Sequence, residues 1–578
     1  MATIKETLDE LISEALSRVT GIAECPAAVI SASRAEFGDY QANGVMAVAK
    51  QLKRNPREIA TAVCQALETG QLVERYEVAG PGFINIHLSD HWLTSRVSSL
   101  QQHTADLVPP VSEPETIVVD YSSPNLAKEM HVGHLRGTII GDSLVRILER
   151  LGHKVIRQNH VGDWGTQFGM LIAYLRLVSD DLDSLSAELS DLEAFYRAAK
   201  EKFDADPDFA NQARASVVKL QSGDKQSLTL WHQFIEESLR HCEAVYDKLS
   251  IKIRRSDLRA ESFYNNKLQG IVKDLDNKGL LTVSEGARCV FLPEFRGKDD
   301  EPLPVIVQKS DGGFLYATTD LAAIRYRAQE LSADRVLYVV DARQGLHFQQ
   351  VFAVAEAAGF LPPACQLEHV AYGTMMGKDG KPFKTRSGSL TKLIDLLDEA
   401  VRRAFELVSA KSPDTDEETR REIAEKVGIG AVKYADLSKN RTSDYVFDWD
   451  SMLALDGNTA PYLLYAYTRI KSVLRKQPLN TSEEAVAISI TAPEERALMV
   501  KLLRLPEVLQ VVASDYYPSH LCTYLFELAG LFMRFYEACP ILKAEPDVRA
   551  SRLALARITA DVLREGLDLL GLNTLEQM

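Results

Sequence analysis

The run TIVVDY at residues 116–121 is followed by a loop and then by the amphipathic stretch GHLRGTIIGDSLVRILERLG, which closes near Gly152. A short β-branched strand feeding a long helix is a βα unit, and it commits this part of the chain to a parallel sheet covered by helices. Two further runs of the same kind, KVIRQNH and DRVLYVVD, alternate with helical segments such as HFQQVFAVAEAAG. The expected fold class is α/β, with a doubly wound, Rossmann-type parallel sheet at its centre.

At 578 residues the chain exceeds what one core can organise, so several domains are expected. Residues 1 to 105 mix helical patterns with the strand-like PGFINIHL and read as an α+β domain, closed by the linker-like QQHTADLVPPVSEPE. The sheet domain is expected over 115–390, with a helical insertion at about 170–300. A helical connector over 391–455 and an all-helical domain over 456–578 follow, because helical periodicity dominates there and no strand signal survives.

No stretch approaches the roughly 18 uncharged apolar residues that span a bilayer. The N-terminal MATIKETLDELISEALSRV reads as an amphipathic helix without the basic start and apolar run of an export signal. Seven cysteines, odd in number and scattered, offer no CxxC pair for zinc and point to a reducing, cytoplasmic setting. A net charge of −15 counts against a nucleic-acid partner. It is compatible with one if a local basic path crosses an acidic body, and a cationic substrate would itself call for acidic groups.

The most informative segment is SSPNLAKEMHVGHLRG, where His131 and His134 stand three residues apart at the start of a helix that follows a buried strand. Helix-terminal N–H groups, the close approach allowed by Gly133 and two imidazole donors suit the phosphates of ATP. Two histidines at a helix start also fit a solvated cap or half of a metal site.

This string resembles the HIGH signature of class I aminoacyl-tRNA synthetases, and the form SSPNLAKEMHVGHLR is similar to the arginyl enzymes. FGDYQ, GDWGTQFG, YATTDLAA, GKPFKTRSG and GNTAPYLLYAYTR extend the resemblance over nearly the whole chain. It implies activation of arginine by ATP as arginyl-adenylate, then esterification to tRNA(Arg), with His131 and His134 stabilising charge on the phosphates. The usual KMSKS loop is replaced by GKDGKPFKTRSG, which supplies Lys378, Lys381 and Lys384. In arginyl enzymes Lys128, just before the HxGH, is thought to make up missing charge, so Lys128 and Lys384 are candidate pyrophosphate clamps. A solvated Gly/Lys turn is the alternative. His347 and Gln350 open a helix where such a sheet binds nucleotide and are candidates for adenosine, with capping by His347 as the alternative. Mg2+ is expected only as the companion of ATP, since no carboxylate cage is visible. The family also implies a monomer.

A guanidinium calls for carboxylates and planar acceptors. Asp120 closes TIVVDY, and Asp320 lies four residues after Tyr316, on one face if that segment is helical. The resemblance assigns Asp320 and Tyr316 to the side-chain end of arginine, and Asp120, Asn125 and Gln344 to its amino and carboxylate end. Asp320 as a helix cap is the alternative. His160, Asp163, Trp164 and Gln167 point into the same crevice, with Trp164 as readily a packing residue as a ligand contact.

For the RNA, the resemblance places Phe83 and Asn85 at a D-loop base, although a Phe in a strand-like run is commonly core. It also makes the C-terminal domain a DALR-type anticodon-binding bundle with a partial signature, DVLREGLDLLGL. Tyr462, Tyr465, Tyr467 and Arg469 could stack on bases there. A shorter nucleotidyl transferase and a catalytically silent RNA-binding paralogue are the competing readings. The second would be expected to have lost His131, His134 or Asp320, and all three are present.

Overall fold

In the computed structural model, which describes residues 2–178, 191–297, 300–383, 392–476 and 486–578, the run TIVVDY forms the strand Thr116–Asp120. Its Ile117, Val118 and Val119 are fully buried. This strand lies inside a four-stranded parallel sheet in the order Gln366–His369, Arg335–Tyr338, Thr116–Asp120, Lys154–Gln158. Asp120 is level with Gln158 on one side and with Tyr338 on the other, so the carboxyl ends of the strands form one edge. The chain steps outward from Thr116–Asp120 in one direction and resumes on its other side at Arg335–Tyr338. That reversal is the switch point at which open α/β sheets bind ligands.

Helix Leu135–Arg150 is buried from Leu135 to Leu148. Gly141 is required within it, because a Cβ there would stand 2.3 Å from the Cβ of Tyr121. Buried charge is compensated: Arg136 pairs with Asp436 at 3.0 Å and Arg146 with Asp142 at 2.8 Å.

This sheet belongs to a compact unit of Glu113–Ala454 with Leu570–Leu572. Within it run the helices Thr166–Val178, Leu192–Ala205, Pro207–Gln221 and Lys225–Lys248. The expectation of helix to about residue 300 needs correcting. Leu281–Ser284, Ala287–Val290 and Val305–Gln308 form an antiparallel sheet, and the first two are joined by a tight turn with positive φ at Glu285 and Gly286. A second departure is Tyr445–Val446, which pairs with Met375–Met376 inside the region expected to be purely helical. Two residues are too few to show a period.

The other unit comprises Met1–Ser112, Leu455–Leu569 and Asn573–Met578. Its N-terminal part is an antiparallel sheet, in the order Val29–Ser31, Tyr40–Ala42, Phe83–Leu88, Val73–Ala79, with helices Ile4–Thr20, Val45–Leu52 and Pro56–Ala66. Its C-terminal part is helical, from Ala460–Arg475 to Pro546–Leu569. Ionic and hydrogen-bonded contacts tie the two parts together. Arg496 forks onto both oxygens of Asp39 at 2.8 Å and reaches Asp90 at 2.7 Å, while Glu507 accepts from the Tyr40 hydroxyl at 2.7 Å. Among the described residues no helix is long and apolar enough to cross a membrane.

Candidate active site

The loop after Thr116–Asp120 is strained where it turns over the sheet edge: Ser122 and Ser123 have φ of 73° and 45°. Hydrogen bonds hold it there. The Ser122 and Tyr246 hydroxyls lie 2.8 Å apart, Thr138 donates to Ser122 Oγ at 2.9 Å, and the Ser123 amide donates to Asn159 Oδ1 at 2.9 Å. Asn125 then turns the chain, its Oδ1 accepting from the Ala127 amide at 2.9 Å.

His131 and His134 flank a single 3-10 turn, Val132–His134, that leads into helix Leu135–Arg150. Their ring centroids are 4.0 Å apart. His131 Nδ1 accepts from the Gly133 amide at 3.0 Å, and His134 Nδ1 accepts from the His131 amide at 3.1 Å. The His131 carbonyl is already bonded by the His134 amide at 2.9 Å, which favours the acceptor role for His134 Nδ1. These contacts assign the proton of each neutral ring to Nε2. Burial pushes His134 down to about 3, and burial together with Lys128 lowers His131, so both rings are neutral donors near pH 7. Gly133 serves the turn in a way the sequence did not disclose: a Cβ there would meet the His131 ring at 2.8 Å. Lys128 places its ammonium 4.3 Å from the centre of the Tyr196 ring.

Of the second-signature loop, residues 377–383 form a tight turn in which the Gly377 amide donates to the Lys381 carbonyl at 2.7 Å. Lys378 is paired with Asp448 at 2.6 Å and Lys381 is exposed. Lys384 lies outside the described residues.

At the same sheet edge stands an acidic cluster. Tyr316 and Asp320 share helix Tyr316–Arg325, with Tyr316 at its first turn and 67% exposed. His347, in the first turn of helix Gly345–Ala357, donates through Nε2 to Asp320 Oδ2 at 2.6 Å, and this bond raises its pKa. His160 Nε2 lies 3.9 Å from Asp320 Oδ1, and its Nδ1 donates to the Arg259 carbonyl at 2.9 Å. Glu261, which the sequence did not single out, completes the cluster. Burial, then the charges of Asp163 and Asp320, push its carboxyl up to about 8. Asp163 accepts from the Ser262 amide at 2.9 Å and from its hydroxyl at 2.5 Å, which anchors the neighbouring turn.

Other candidates fall differently. Asp120 is 5% exposed, paired with Arg327 at 2.8 Å through one oxygen and accepting from the Ser123 hydroxyl at 2.9 Å through the other. It belongs to a buried network rather than to an open acidic edge. Arg327 also donates to Gln158 Oε1 at 2.7 Å and lies 5.0 Å from the Tyr338 ring centre. A π-helical turn over Tyr326–Glu330 follows helix Tyr316–Arg325, and Arg327 within it is only 1% exposed. Gln344 is exposed at the end of a 3-10 turn, and Gln350 carries a buried Nε2 without a hydrogen-bond partner. His347, expected at adenosine, is hydrogen-bonded to Asp320. Trp164 packs edge-on against Trp231 at 5.5 Å, and the Trp231 indole donates to the Asp163 carbonyl at 2.7 Å, which favours packing for Trp164.

In the other unit, Phe83 and Asn85 lie on the strand face opposite Ile84, Ile86 and Leu88. Phe83 is half-buried, and Asn85 is 3% exposed, accepting from Gln41 at 2.8 Å. Tyr467 is core, whereas Tyr465 is exposed and its hydroxyl accepts from Arg469 at 3.1 Å. The aromatic run thus divides between the two faces of its helix.

Comparison with known proteins gives three family matches. The model described as tRNA synthetases class I (R), catalytic domain, matches residues 96–449; the DALR anticodon binding domain matches 463–578; the arginyl tRNA synthetase N terminal domain matches 6–88. The arginine–tRNA ligase of Marinomonas sp. (strain MWYL1) is 55% identical over 575 residues, covering 100% of both chains. That of Chromobacterium violaceum is 56% identical over 576 residues, again covering 100% of both. Among solved structures, the arginyl-tRNA synthetase from Plasmodium falciparum has a TM-score of 0.86 at 29% identity, and the one from Thermus thermophilus shares the fold with a TM-score of 0.81 at 24% identity; each covers 100% of both chains.

Proposed function

The chain belongs to the arginyl-tRNA synthetase family and is an arginine–tRNA ligase, and from that premise we propose how its sheet edge performs the reaction. An oxygen of the arginine carboxylate attacks the α-phosphorus of ATP, the bond to the departing pyrophosphate breaks, and arginyl-adenylate forms. A hydroxyl of the terminal ribose of tRNA(Arg) then attacks the activated carbonyl and AMP leaves. Positioning and preorganised donors carry such a displacement, because the enzyme supplies no nucleophile of its own.

His131 and His134 direct neutral Nε2–H groups at the phosphates, with Gly133 in the turn between them. Lys128, Lys381 and Lys384 hold pyrophosphate, and Gln350 offers its buried amide to adenosine. Mg2+ arrives with ATP as part of the substrate; among the described residues no His, Cys, Asp or Glu cluster could hold a metal.

Asp320, Tyr316 and Glu261 receive the guanidinium. Asn125 and Gln344 hold the amino and carboxylate end, and Asp120 acts through the loop it braces. Phe83 and Asn85 meet the tRNA elbow, with the helical bundle at the anticodon. The protein works as a cytoplasmic monomer.

The observation that carries the reading is the clustering of Asp320, His347 and Glu261 at the carboxyl edge of the sheet that also bears the HxGH turn. ATP–pyrophosphate exchange with arginine, measured with and without tRNA, tests it. Silence under every condition rejects it. Asp320→Ala is expected to raise the arginine requirement far more than the ATP requirement, and equal effects would remove Asp320 from the arginine pocket.

A further inference from the structure

We propose that His347 is a displaceable guard on Asp320, whose release by the incoming guanidinium couples arginine binding to nucleotide binding. The inference rests on the assignment of Asp320 to the guanidinium. Both oxygens of that carboxylate face imidazoles: Oδ2 meets His347 Nε2 at 2.6 Å, and Oδ1 lies 3.9 Å from His160 Nε2. A guanidinium pairs best with a carboxylate through two parallel bonds, and the short His347 bond competes with that fork for Oδ2.

The two histidines are not equally free to yield. His160 is tied to the Arg259 carbonyl at 2.9 Å, already stands back from Asp320, and has a side chain only 14% exposed. The His347 side chain is 32% exposed and sits in the first turn of its helix. It is therefore the group that moves.

Where it moves gives the coupling. Helix Gly345–Ala357 follows strand Arg335–Tyr338, on the far side of the switch point from the HxGH turn, so its first turn borders the nucleotide crevice. One turn further on, Gln350 holds a buried Nε2 without an acceptor. An imidazole freed from Asp320 becomes available beside that amide, and a nucleotide that engages it keeps it away from Asp320. Each ligand then favours the other by the same factor, as linkage requires. A lysine ammonium, which is a point charge, can pair with one carboxylate oxygen and leave the guard in place.

Calorimetric titration of the full-length protein with arginine, alone and with a saturating non-hydrolysable ATP analogue, tests the proposal in wild type, His347→Ala, His347→Phe and Asp320→Asn. Phe keeps the bulk of the ring without its donor, which covers the case in which Ala disturbs the helix start. In wild type the analogue is expected to tighten arginine binding by about 5-fold or more. In both His347 variants arginine alone is expected to bind at least about 3-fold more tightly than to wild type, because a charge-assisted competitor is gone, and the effect of the analogue is expected to vanish. Weaker or unchanged arginine binding in these variants, or a persisting analogue effect, overturns the proposal. Asp320→Asn separates the two layers: normal arginine binding there would refute the pocket assignment itself, whereas its loss together with weakened binding in the His347 variants would refute only the guard.

Discussion

Glu261 offers a quantitative test, because its carboxyl is pushed up to about 8 by burial and by the charges of Asp163 and Asp320. At pH 7 only about one such carboxyl in ten is ionised. If the guanidinium needs the ionised form, the apparent arginine affinity scales with that fraction, and the dissociation constant should fall about 25-fold between pH 6.5 and pH 8.5. Near pH 7 arginine binding should release about 0.9 proton, readable by calorimetry in two buffers of different ionisation enthalpy. Glu261→Gln should bind comparably to wild type at pH 6.5, where the wild-type group is already neutral. At pH 8.5 it should bind about 10-fold to 150-fold more weakly, the range for a lost charge-assisted hydrogen bond. Repeating the series with His347→Phe removes that imidazole's own titration from the slope. The sign also carries to stability. A carboxyl that binds its proton more tightly in the folded state costs stability progressively as pH rises from about 4.5 to about 8. The melting temperature of wild type should therefore fall relative to Glu261→Gln across that window. A flat arginine affinity in wild type, or an unchanged slope in Glu261→Gln, would refute the reasoning.

Because His134 sits near 3, exchange activity should show no loss between pH 8 and pH 6 on its account. His134→Ala should lower turnover by about 100-fold to 1000-fold, and His134→Gln, which keeps a donor near the Nε2 position, by less; equal losses would remove the donor role. Arg327→Met should destabilise the sheet-bearing unit by about 3–5 kcal/mol in a urea titration, since it strands the Asp120 carboxylate in the interior. Asp120→Asn with Arg327→Met should recover part of that, and a double variant no better than the single one would deny the pairing. Arg496→Ala should lower the melting temperature of the other unit by removing the guanidinium fork from the Asp39 carboxylate, which keeps the Leu88 amide as a donor; an unchanged melt would mean that the fork contributes nothing measurable.

The parallel sheet and the HxGH turn were legible because their signals are local: TIVVDY announces a buried strand, and the two histidines sit three residues apart behind it. The hairpin at 281–290 was not, because its Glu-Gly turn lacks the Asn-Gly or Asp-Gly signature of such loops. Asp120 was read correctly as a residue ending the strand, but its engagement with Arg327 depends on a partner 207 positions away, turned inward by a π-helical segment. Glu261 gave no sign at all. Its raised carboxyl comes first from burial and then from the charges of Asp163 and Asp320, which the fold alone brings about. Spacing put Asp320 and Tyr316 on one helix face and the family resemblance suggested a shared substrate, yet the Asp320 bond to His347 crosses between two helices whose sequences share no pattern.

The fork of Arg496 on Asp39 also has a consequence for biosynthesis. The first 112 residues share one compact unit with residues 455–569, so a nascent N-terminal segment leaves the ribosome well before the surface that covers it. At roughly 5–20 residues per second, translating the intervening stretch takes roughly 20–70 s. Throughout that interval Asp39 and the Tyr40 hydroxyl lack the Arg496 and Glu507 partners that later enclose them. The earliest-made part of this protein must therefore remain soluble, or be escorted, until nearly the last of it has been synthesised.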